Sequence, residues 1–325
     1  MLTKKRLTVI SIFMLVIYFG LALIFRESVI GRGEESLMMF VSKLVFLSTS
    51  ATITTAFLLI FIFKKELIQD QFATFNRYKH LLRLMVKRDF VARYRKSVLG
   101  VLWSLLHPLM MMLVLTAVFS FLFDRQIENF PVYLLSGLII YEFINESTTT
   151  SMTSIINNEG VIKKVYVPKY IFPLSRVISS LVQLGFSFLA LIAVMVITGA
   201  SFKITMLLLP VPILYTFIFA FGVAMLLAAM AVFFRDVMYL YSVLMRMLFF
   251  LTPIMYPMDM LPEWLRPFMG LNPIFQFIDY FRDLVLYGMI PGLWDNVVCL
   301  SFAMMALCVG IYAFISRQDK FILYL

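Results

Sequence analysis

The chain has 325 residues, of which 62% are hydrophobic and 14% are charged, and its formal net charge at pH 7 is +10. Its mean hydropathy is +0.95, whereas soluble globular domains are typically only about 45–50% apolar, so the composition excludes a soluble domain and indicates a membrane protein. The positive charge does not indicate a nucleic-acid partner, because most of it falls in loops predicted on one side of the membrane.

Eight apolar stretches approach or exceed the length of a helix that crosses about 30 Å of hydrocarbon. They lie near residues 7–25, 44–63, 103–123, 132–153, 174–198, 205–234, 237–255 and 297–315. Because they lack the two-residue alternation of membrane strands, we predict an all-α membrane protein. With the N-terminus in the cytoplasm, most loop Lys and Arg residues also lie there, which places both termini on the cytoplasmic side.

The first two stretches and a polar link at 64–76 predict an N-terminal two-helix hairpin, residues 1–76. A basic cluster before the first stretch could also open a signal peptide. The apolar run continues to Phe25, however, and no small-x-small cleavage site follows it, which favours an uncleaved span. Ser and Thr are frequent in the second stretch and allow close helix approach, so the hairpin is expected to dock on the rest of the chain or bind a partner.

Residues 77–102 predict an amphipathic helix that continues without a linker into the third stretch. One side of its helical wheel is apolar and consists of Tyr78, Leu81, Leu82, Met85 and Val86. The other side carries Lys79, Arg83 and Lys87. This pattern is typical of a helix on an anionic leaflet, although an ordinary positive flank that serves only topology would show it too. Ser97 and Gly100 predict a bend before the span.

The fourth stretch loses its apolar character in the polar run from Asn145 to Ser151, and a helix-sized segment at 159–166 follows. From the pattern alone this segment is either a short helix or an inert basic loop. Five prolines interrupt the apolar region after the seventh stretch, at 253, 257, 262, 267 and 273. They exclude a continuous helix and leave two alternatives, a re-entrant hairpin buried in protein or an ordinary extracellular loop.

The sequence contains no catalytic or metal-binding motif that we can identify, and no phosphate loop for ATP. If the chain belongs to an ATP-driven system, the motor is therefore a separate polypeptide. Cys299 and Cys308 both lie on the last span and are expected to pack rather than bridge. Glu142 and Arg246 each lie roughly 14–15 Å deep in their spans. They could pair, within one protomer or across a dimer, or each could face a channel alone.

Four segments, in this order, resemble the permease subunits of bacterial type-2 ABC exporters, which move O-antigen, teichoic acid and related lipid-linked polysaccharides. They are Arg93-Tyr-Arg-Lys-Ser-Val-Leu-Gly-Val-Leu-Trp-Ser-Leu-Leu-His-Pro108, Tyr133-Leu-Leu-Ser-Gly-Leu138, Asn157-Asn-Glu-Gly-Val-Ile-Lys-Lys-Val-Tyr-Val-Pro168, and Thr252-Pro-Ile-Met-Tyr-Pro257 with Leu271-Asn-Pro273. The resemblance covers roughly residues 78–325. It implies a six-helix exporter core at 103–325, with an amphipathic interface helix and a re-entrant outer gate, and it leaves the N-terminal hairpin unexplained.

The same resemblance implies the partners. A separate ATPase subunit, in two copies, would bind ATP and Mg, and the chain itself would hold no cofactor. The permease would form a homodimer in the bacterial cytoplasmic membrane, in contact with membrane lipids, and would export a lipid-linked polysaccharide. It would not be an enzyme.

The resemblance also implies roles for particular residues. The coupling helix to the ATPase would consist of Glu159, Gly160, Val161, Ile162, Lys163, Lys164, Val165 and Tyr166. An anionic substrate headgroup would meet Arg93, Arg95 and Lys96. The outer gate would include Pro253, Tyr256, Pro257, Pro262 and Pro267. The channel lining would include Trp103, Phe119 and Tyr141, which lie on spans that resemble the family's channel walls. Glu142 and Arg246 are added to it because of their depth in their spans.

Two other functions are compatible with a polytopic membrane chain. One is an ABC exporter of a drug or simple lipid, which neighbouring genes for glycosyltransferases and an ATPase would argue against. The other is a membrane-embedded glycosyl or acyl transferase, which the lack of gathered polar catalytic groups disfavours.

Overall fold

The computed structural model describes residues 65–325 apart from 96, 124–126 and 128. The predicted spans at 7–25 and 44–63 lie outside the described residues, as does Lys96. Within the described part the chain is all-helical and contains no strand, as predicted. The helices are α1 Lys65–Tyr94, α2 Trp103–Phe123, α3 Phe130–Met152, α4 Glu159–Ile162, α5 Ile171–Thr198, α6 Pro210–Phe233, α7 Asp236–Leu251, α8 Arg266–Met269, α9 Pro273–Arg282, α10 Leu293–Ile315 and α11 Phe321–Tyr324.

Four regions of the described chain are long and apolar enough to cross a membrane. They are Gly100–Phe119, Ile171–Thr198, Ile204–Phe233 and Leu293–Ile315, and they coincide with four of the predicted spans. Helix α3 has 23 residues but carries polar groups in its second half. Helix α7 has only 16 residues and ends at Leu251 rather than near 255, because a residue that precedes proline, here Thr252, is disfavoured in a helix.

Helix α3 lies at the centre of the molecule and packs against α2, α5, α6 and α9. Its first half is an almost unbroken buried run from Val132 to Ile144. Three hydroxyl residues of its second half, Ser147, Thr148 and Ser151, are buried as well. The hydroxyls of Ser147 and Thr148 both donate to the Ile144 oxygen of the same helix, at 3.1 and 2.6 Å. Self-satisfied hydroxyls cost little to bury, so a polar helix segment can occupy the core.

Helices α6 and α10 approach each other at backbone contact distance, and two glycines permit it. A Cβ atom added to Gly310 would lie 1.9 Å from the Gly222 carbonyl oxygen, and one added to Gly222 would lie 2.3 Å from the Ala306 carbonyl carbon. Small residues of this kind let membrane helices gain close packing. The pair fixes the last long helix against the centre of the fold.

Helix α1 begins at Lys65, so it includes the residues predicted as a polar link, and it ends at Tyr94. The predicted bend is confirmed, because Gly100 has φ +52 and its amide donates to the Ser97 hydroxyl oxygen at 3.1 Å. The predicted apolar side is also confirmed as the less exposed one. Leu82 and Met85 are buried against the chain's own residues, in a cluster with Ile162 and Phe172, so protein rather than lipid covers the centre of this side.

Candidate functional site

Residues 159–166, which we call the coupling segment, form a short projection where α3 turns back into α5. Its α-helical part is only Glu159–Ile162, and 163–166 are turn and extended chain. The predicted helix is therefore too long by one turn, since the β-branched Val165 and Val167 and the proline at 168 oppose continuation. Glu159 and Lys163 form an ion pair at 2.5 Å, Oε1 to Nζ.

The coupling segment has one buried anchor and an exposed apolar surface. The Ile162 side chain is 7% exposed and packs into the cluster that holds Leu82 and Met85 of α1. Val161 and Val165 are exposed, and Tyr166 is 91% exposed, while the Tyr78 hydroxyl of α1 donates to the Tyr166 carbonyl oxygen at 3.1 Å. An apolar surface that is held rigidly and left uncovered is typical of a docking site for another protein.

Polar side chains near the C-terminal end of α1 join this helix to α3 and α5. The Arg93 guanidinium forms an ion pair with Glu146 of α3 and donates to the Gln183 side-chain oxygen of α5 at 3.5 Å. The Tyr94 hydroxyl donates to the same Gln183 oxygen at 3.0 Å. Further back along α1, Asp89 pairs with Arg176 of α5, Oδ2 to Nη1, at 2.9 Å. Two ion pairs therefore tie the amphipathic helix to the buried helices.

The electrostatics of Arg93 follow from this network. Partial burial opposes its charge, but the neighbouring Glu146 carboxylate outweighs that effect, and the pKa of the Arg93 guanidinium is raised above its usual value. A surface cleft of about 560 Å³ lies beside it, lined by Arg88, Val91, Ala92, Arg93, Arg95 and Ser97. Arg95 is exposed and makes no ion pair with a described residue. The cleft thus presents positive charge, and Arg88 belongs to it although sequence analysis missed that residue.

The five residues predicted to line a channel do not form one surface. Trp103 and Arg246 are exposed, whereas Phe119 is partly buried and packs against the core. Tyr141 is buried between α3 and α7. Its hydroxyl donates to the Met245 carbonyl oxygen of α7 at 2.5 Å, and its ring lies 5.0 Å from that of Phe249. In this structure Tyr141 thus packs between two helices, and its role in a channel stays a prediction.

Glu142 and Arg246 do not pair within the protomer. The nearest ionisable partner of Glu142 is His107 of α2, at 3.8 Å between Oε1 and Nδ1. Met245 faces α3, and consecutive helical residues point about 100° apart, so Arg246 points away from the core. It forms no ion pair with a described residue. Of the two pairings considered from the sequence, only the one across a dimer stays a prediction.

Residues 252–272, which we call the broken segment, follow α7 and begin close to the start of α3. Thr252, Pro253, Ile254 and Met255 are buried, Tyr256 and Pro257 are partly buried, and Pro262 is exposed, while the side chain of Pro267 lies outside the described residues. Asn272 caps α9 by accepting from the Ile274 amide at 3.0 Å, and its side-chain amide donates to the Thr252 hydroxyl at 2.8 Å. No continuous helix spans this region, which holds only the short α8 and one 3-10 turn, as the prolines predicted.

The guanidinium of Arg282, the last residue of α9, lies beneath the broken segment. It donates to the carbonyl oxygens of Pro253 and Ile254, both at 2.8 Å, and to that of Tyr133 at 3.3 Å. Sequence analysis did not single out Arg282. The available signal was a lone cation in an aromatic, apolar run that follows an Asn-Pro helix start.

Sequence comparison relates the chain to known proteins. The sequence profile described as "ABC-2 type transporter" matches residues 80–286. The O-antigen export system permease protein RfbA of Klebsiella pneumoniae is 33% identical over 213 residues, which cover 64% of this chain and 81% of that protein. RfbA of Myxococcus xanthus is 28% identical over 247 residues, 75% of this chain and 95% of that protein. The polysialic acid transport protein KpsM of Escherichia coli is 23% identical over 249 residues, 75% and 96% of the two chains.

Proposed function

Because the chain belongs to the ABC-2 type transporter family, we propose that it is the membrane permease subunit of an ABC transporter that exports a lipid-linked cell-surface polysaccharide across the cytoplasmic membrane. The observation that carries this proposal is that the relatives described above, which align over most of their own length, are named as export or transport proteins for O-antigen or polysialic acid. The chain would carry the path and a separate ATPase would supply the energy.

The coupling segment is the surface on which that ATPase would act. It projects from the end of α3, its exposed Val161, Val165 and Tyr166 offer an apolar contact, and its anchor Ile162 connects it to α1, α5 and α6 through one packed cluster. A push on the segment would therefore reach several helices together, because packed interiors transmit displacement. Two ATPase copies, one for each permease of a homodimer, would bind ATP and Mg.

The basic cleft beside α1 is the place where the substrate headgroup would arrive. A lipid diphosphate is anionic, and juxtamembrane Lys and Arg residues attract anionic headgroups. Arg88 and Arg95 are exposed in the cleft, and Lys96 follows Arg95 in the chain. Arg93 is already paired with Glu146, so it would contribute to the field of the cleft more than to direct contact.

The remaining architecture follows from the long helices. We propose that α2, α3, α5, α6, α7 and α10 form a six-span core at 103–325. Residues 77–102, which hold the second part of α1 and the bend after it, would form the interface region, and residues 1–76 would add a hairpin and its linker. A family match that begins at residue 80 supports this division. The loop charges favour cytoplasmic termini. The broken segment would then lie at the outer end as a gate, and the exposed faces of α2 and α7, with Trp103 and Arg246, would meet the path or a second copy.

Loss of the chain in cells tests this function. Deleting its gene should remove the surface polysaccharide and leave the lipid-linked polymer on the cytoplasmic side, where an enzyme that digests the glycan cannot reach it in intact cells. Reintroducing the gene should restore surface display. A normal polysaccharide coat in the deletion strain, with altered resistance to hydrophobic drugs instead, would contradict the proposal and favour a drug exporter.

A further inference from the structure

Arg282 is a buried cation that forms no ion pair with a described carboxylate. The residue is 2% exposed, and Phe277, Ile278 and Phe281 of the same helix are buried as well. No described carboxylate lies within ion-pairing distance of it, and the Asp279 carboxylate, three residues earlier on α9, acts on its charge only from a longer distance. An isolated buried charge is strongly destabilising unless other groups solvate it, so the groups around Arg282 must supply that solvation.

Backbone carbonyls at a helix end supply it. The last carbonyls of α7 have no helical donors, and they find substitutes in the broken segment. The Tyr256 hydroxyl bonds to the Phe250 and Leu251 oxygens at 2.9 and 2.8 Å, and Arg282 takes those of Pro253 and Ile254. Helix C-termini carry negative partial charge, so the guanidinium lies just beyond one such end, that of α7.

The start of α3 completes the surroundings of the cation. The guanidinium carbon lies 3.6 Å from the centre of the Tyr133 ring, which places the cation against the negative face of an aromatic system. The hydroxyl of the same tyrosine donates to the Tyr256 carbonyl oxygen at 3.0 Å. Tyr133 therefore holds the broken segment directly through its hydroxyl and indirectly through Arg282.

Gly137 makes room for this arrangement. A Cβ atom at that position would lie 2.7 Å from Nη2 of Arg282 and 3.2 Å from Cγ2 of Ile254, so any side chain would push the cation and the segment away from α3. Two of the motif segments recognised in the sequence, at 133–138 and at 252–257, thus meet at one guanidinium. The segment at 271–273 joins them through the hydrogen bond from Asn272 to Thr252. Arg282 itself lies outside all of these motif segments.

We propose that Arg282 is the positioning residue of the broken segment: its guanidinium binds the carbonyls of 253 and 254 to the start of α3 and so sets the closed position of this segment. The effect of Arg282 on export rests on the proposed gate function, whereas its role in holding the segment does not. Passage of a substrate past the segment would require the hydrogen bonds of Arg282 to break together, because one planar group makes all of them.

Cysteine labelling of the purified chain in lipid nanodiscs tests the positioning. Met255, which is 4% exposed, is replaced by cysteine as the reporter, and a cysteine at Met260, which is 44% exposed, serves as the accessible reference. The maleimide reaction at each site is read by mass spectrometry, with the buried native Cys299 and Cys308 as internal indicators of global unfolding. The reporter is combined with Arg282→Met, Arg282→Lys, Tyr133→Leu or Gly137→Ala.

We expect Arg282→Met to raise the labelling rate of the reporter by roughly tenfold or more, as expected when charge-assisted hydrogen bonds to the segment are lost, while the native cysteines stay protected. Arg282→Lys should give a smaller increase, because it keeps the charge but loses the planar fork. Gly137→Ala should also raise it, whereas Gly185→Ala, on α5 with no atom within 4 Å of the added Cβ, should change nothing.

Unchanged labelling of the reporter in Gly137→Ala and Arg282→Lys, at normal folded yield, would overturn the proposal, and these two variants decide it even if Arg282→Met does not fold. Raised labelling together with impaired polysaccharide display in cells supports both the positioning role and the gate. Raised labelling with normal display would keep Arg282 as the positioning residue and contradict the gate function of the broken segment.

Discussion

Tyr166 is the most exposed large side chain of the coupling segment, and truncating it to alanine should weaken binding of the ATPase without unfolding the permease. With 91% of its surface accessible in the isolated chain, almost the whole side chain is available to a partner. A buried aromatic side chain covers about 150–250 Å², which at about 25 cal/mol per Å² gives an upper bound of about 4–6 kcal/mol.

The observable loss will be smaller than this bound, since truncation at an interface hot spot typically costs about 2 kcal/mol or more. That free energy corresponds to a roughly thirtyfold weaker complex. The hydrogen bond from Tyr78 is unaffected, because it goes to the backbone oxygen of Tyr166. Affinity is measured by titrating the purified ATPase against the permease in nanodiscs, and folding by the thermal unfolding midpoint.

Ile162 is the matched control on the same segment. It is buried in the permease itself, so Ile162→Ala should lower the stability of the fold by about 2–5 kcal/mol rather than act first on the contact with the ATPase. Val161, its exposed neighbour, should behave like Tyr166. Equal affinity of the wild type and Tyr166→Ala for the ATPase, or unfolding of the Tyr166→Ala permease, would refute the assignment of this surface.

Three further outcomes are expected. Neutralising Arg93 and Glu146 together should lower the thermal midpoint by less than the sum of the two single changes. The coupling free energy should be about 1 kcal/mol or below, because the pair keeps partial solvent contact. Additive effects would show that the pair does not hold α1. Gly310→Ala should cost about 1–3 kcal/mol or more through overpacking against α6, measured against Gly185→Ala, and equal stability of the two variants would contradict the backbone contact. Arg95→Gln should reduce binding of vesicles that contain lipid diphosphates while leaving the thermal midpoint unchanged, and undiminished binding would confine Arg95 to topology.

The apolar runs predicted α2, α5, α6 and α10 because each of these helices is apolar along most of its length, so no knowledge of neighbours was needed. The break after α7 was equally visible, since proline acts on its own backbone. The position of Tyr141 could not be predicted from the sequence, because tertiary packing decides which side of α3 faces α7. The same holds for Ile162 and Val161, consecutive apolar residues of which only one is buried.

The polar contacts were the part of the structure that the sequence predicted least well. Charge and depth suggested Glu142 with Arg246, yet His107 on α2 is the residue that lies beside Glu142. Arg93 was correctly singled out as a functional cation, but its partner Glu146 is more than fifty positions away in the chain, and no local pattern links them. Arg282 escaped notice because its partners are backbone carbonyls, which leave no trace in the sequence.

Reconstituted transport tests the central claim most directly. The permease and its ATPase are placed in proteoliposomes with a lipid-linked polysaccharide in the leaflet that faces the ATPase, and the fraction of glycan that reaches the opposite side is measured with a lectin or glycan-digesting enzyme. ATP should drive glycan across, and permease alone, or the ATPase without permease, should not. ATP hydrolysis by the assembled complex with no glycan translocated, but with transport of a hydrophobic drug or a simple phospholipid, would contradict the account.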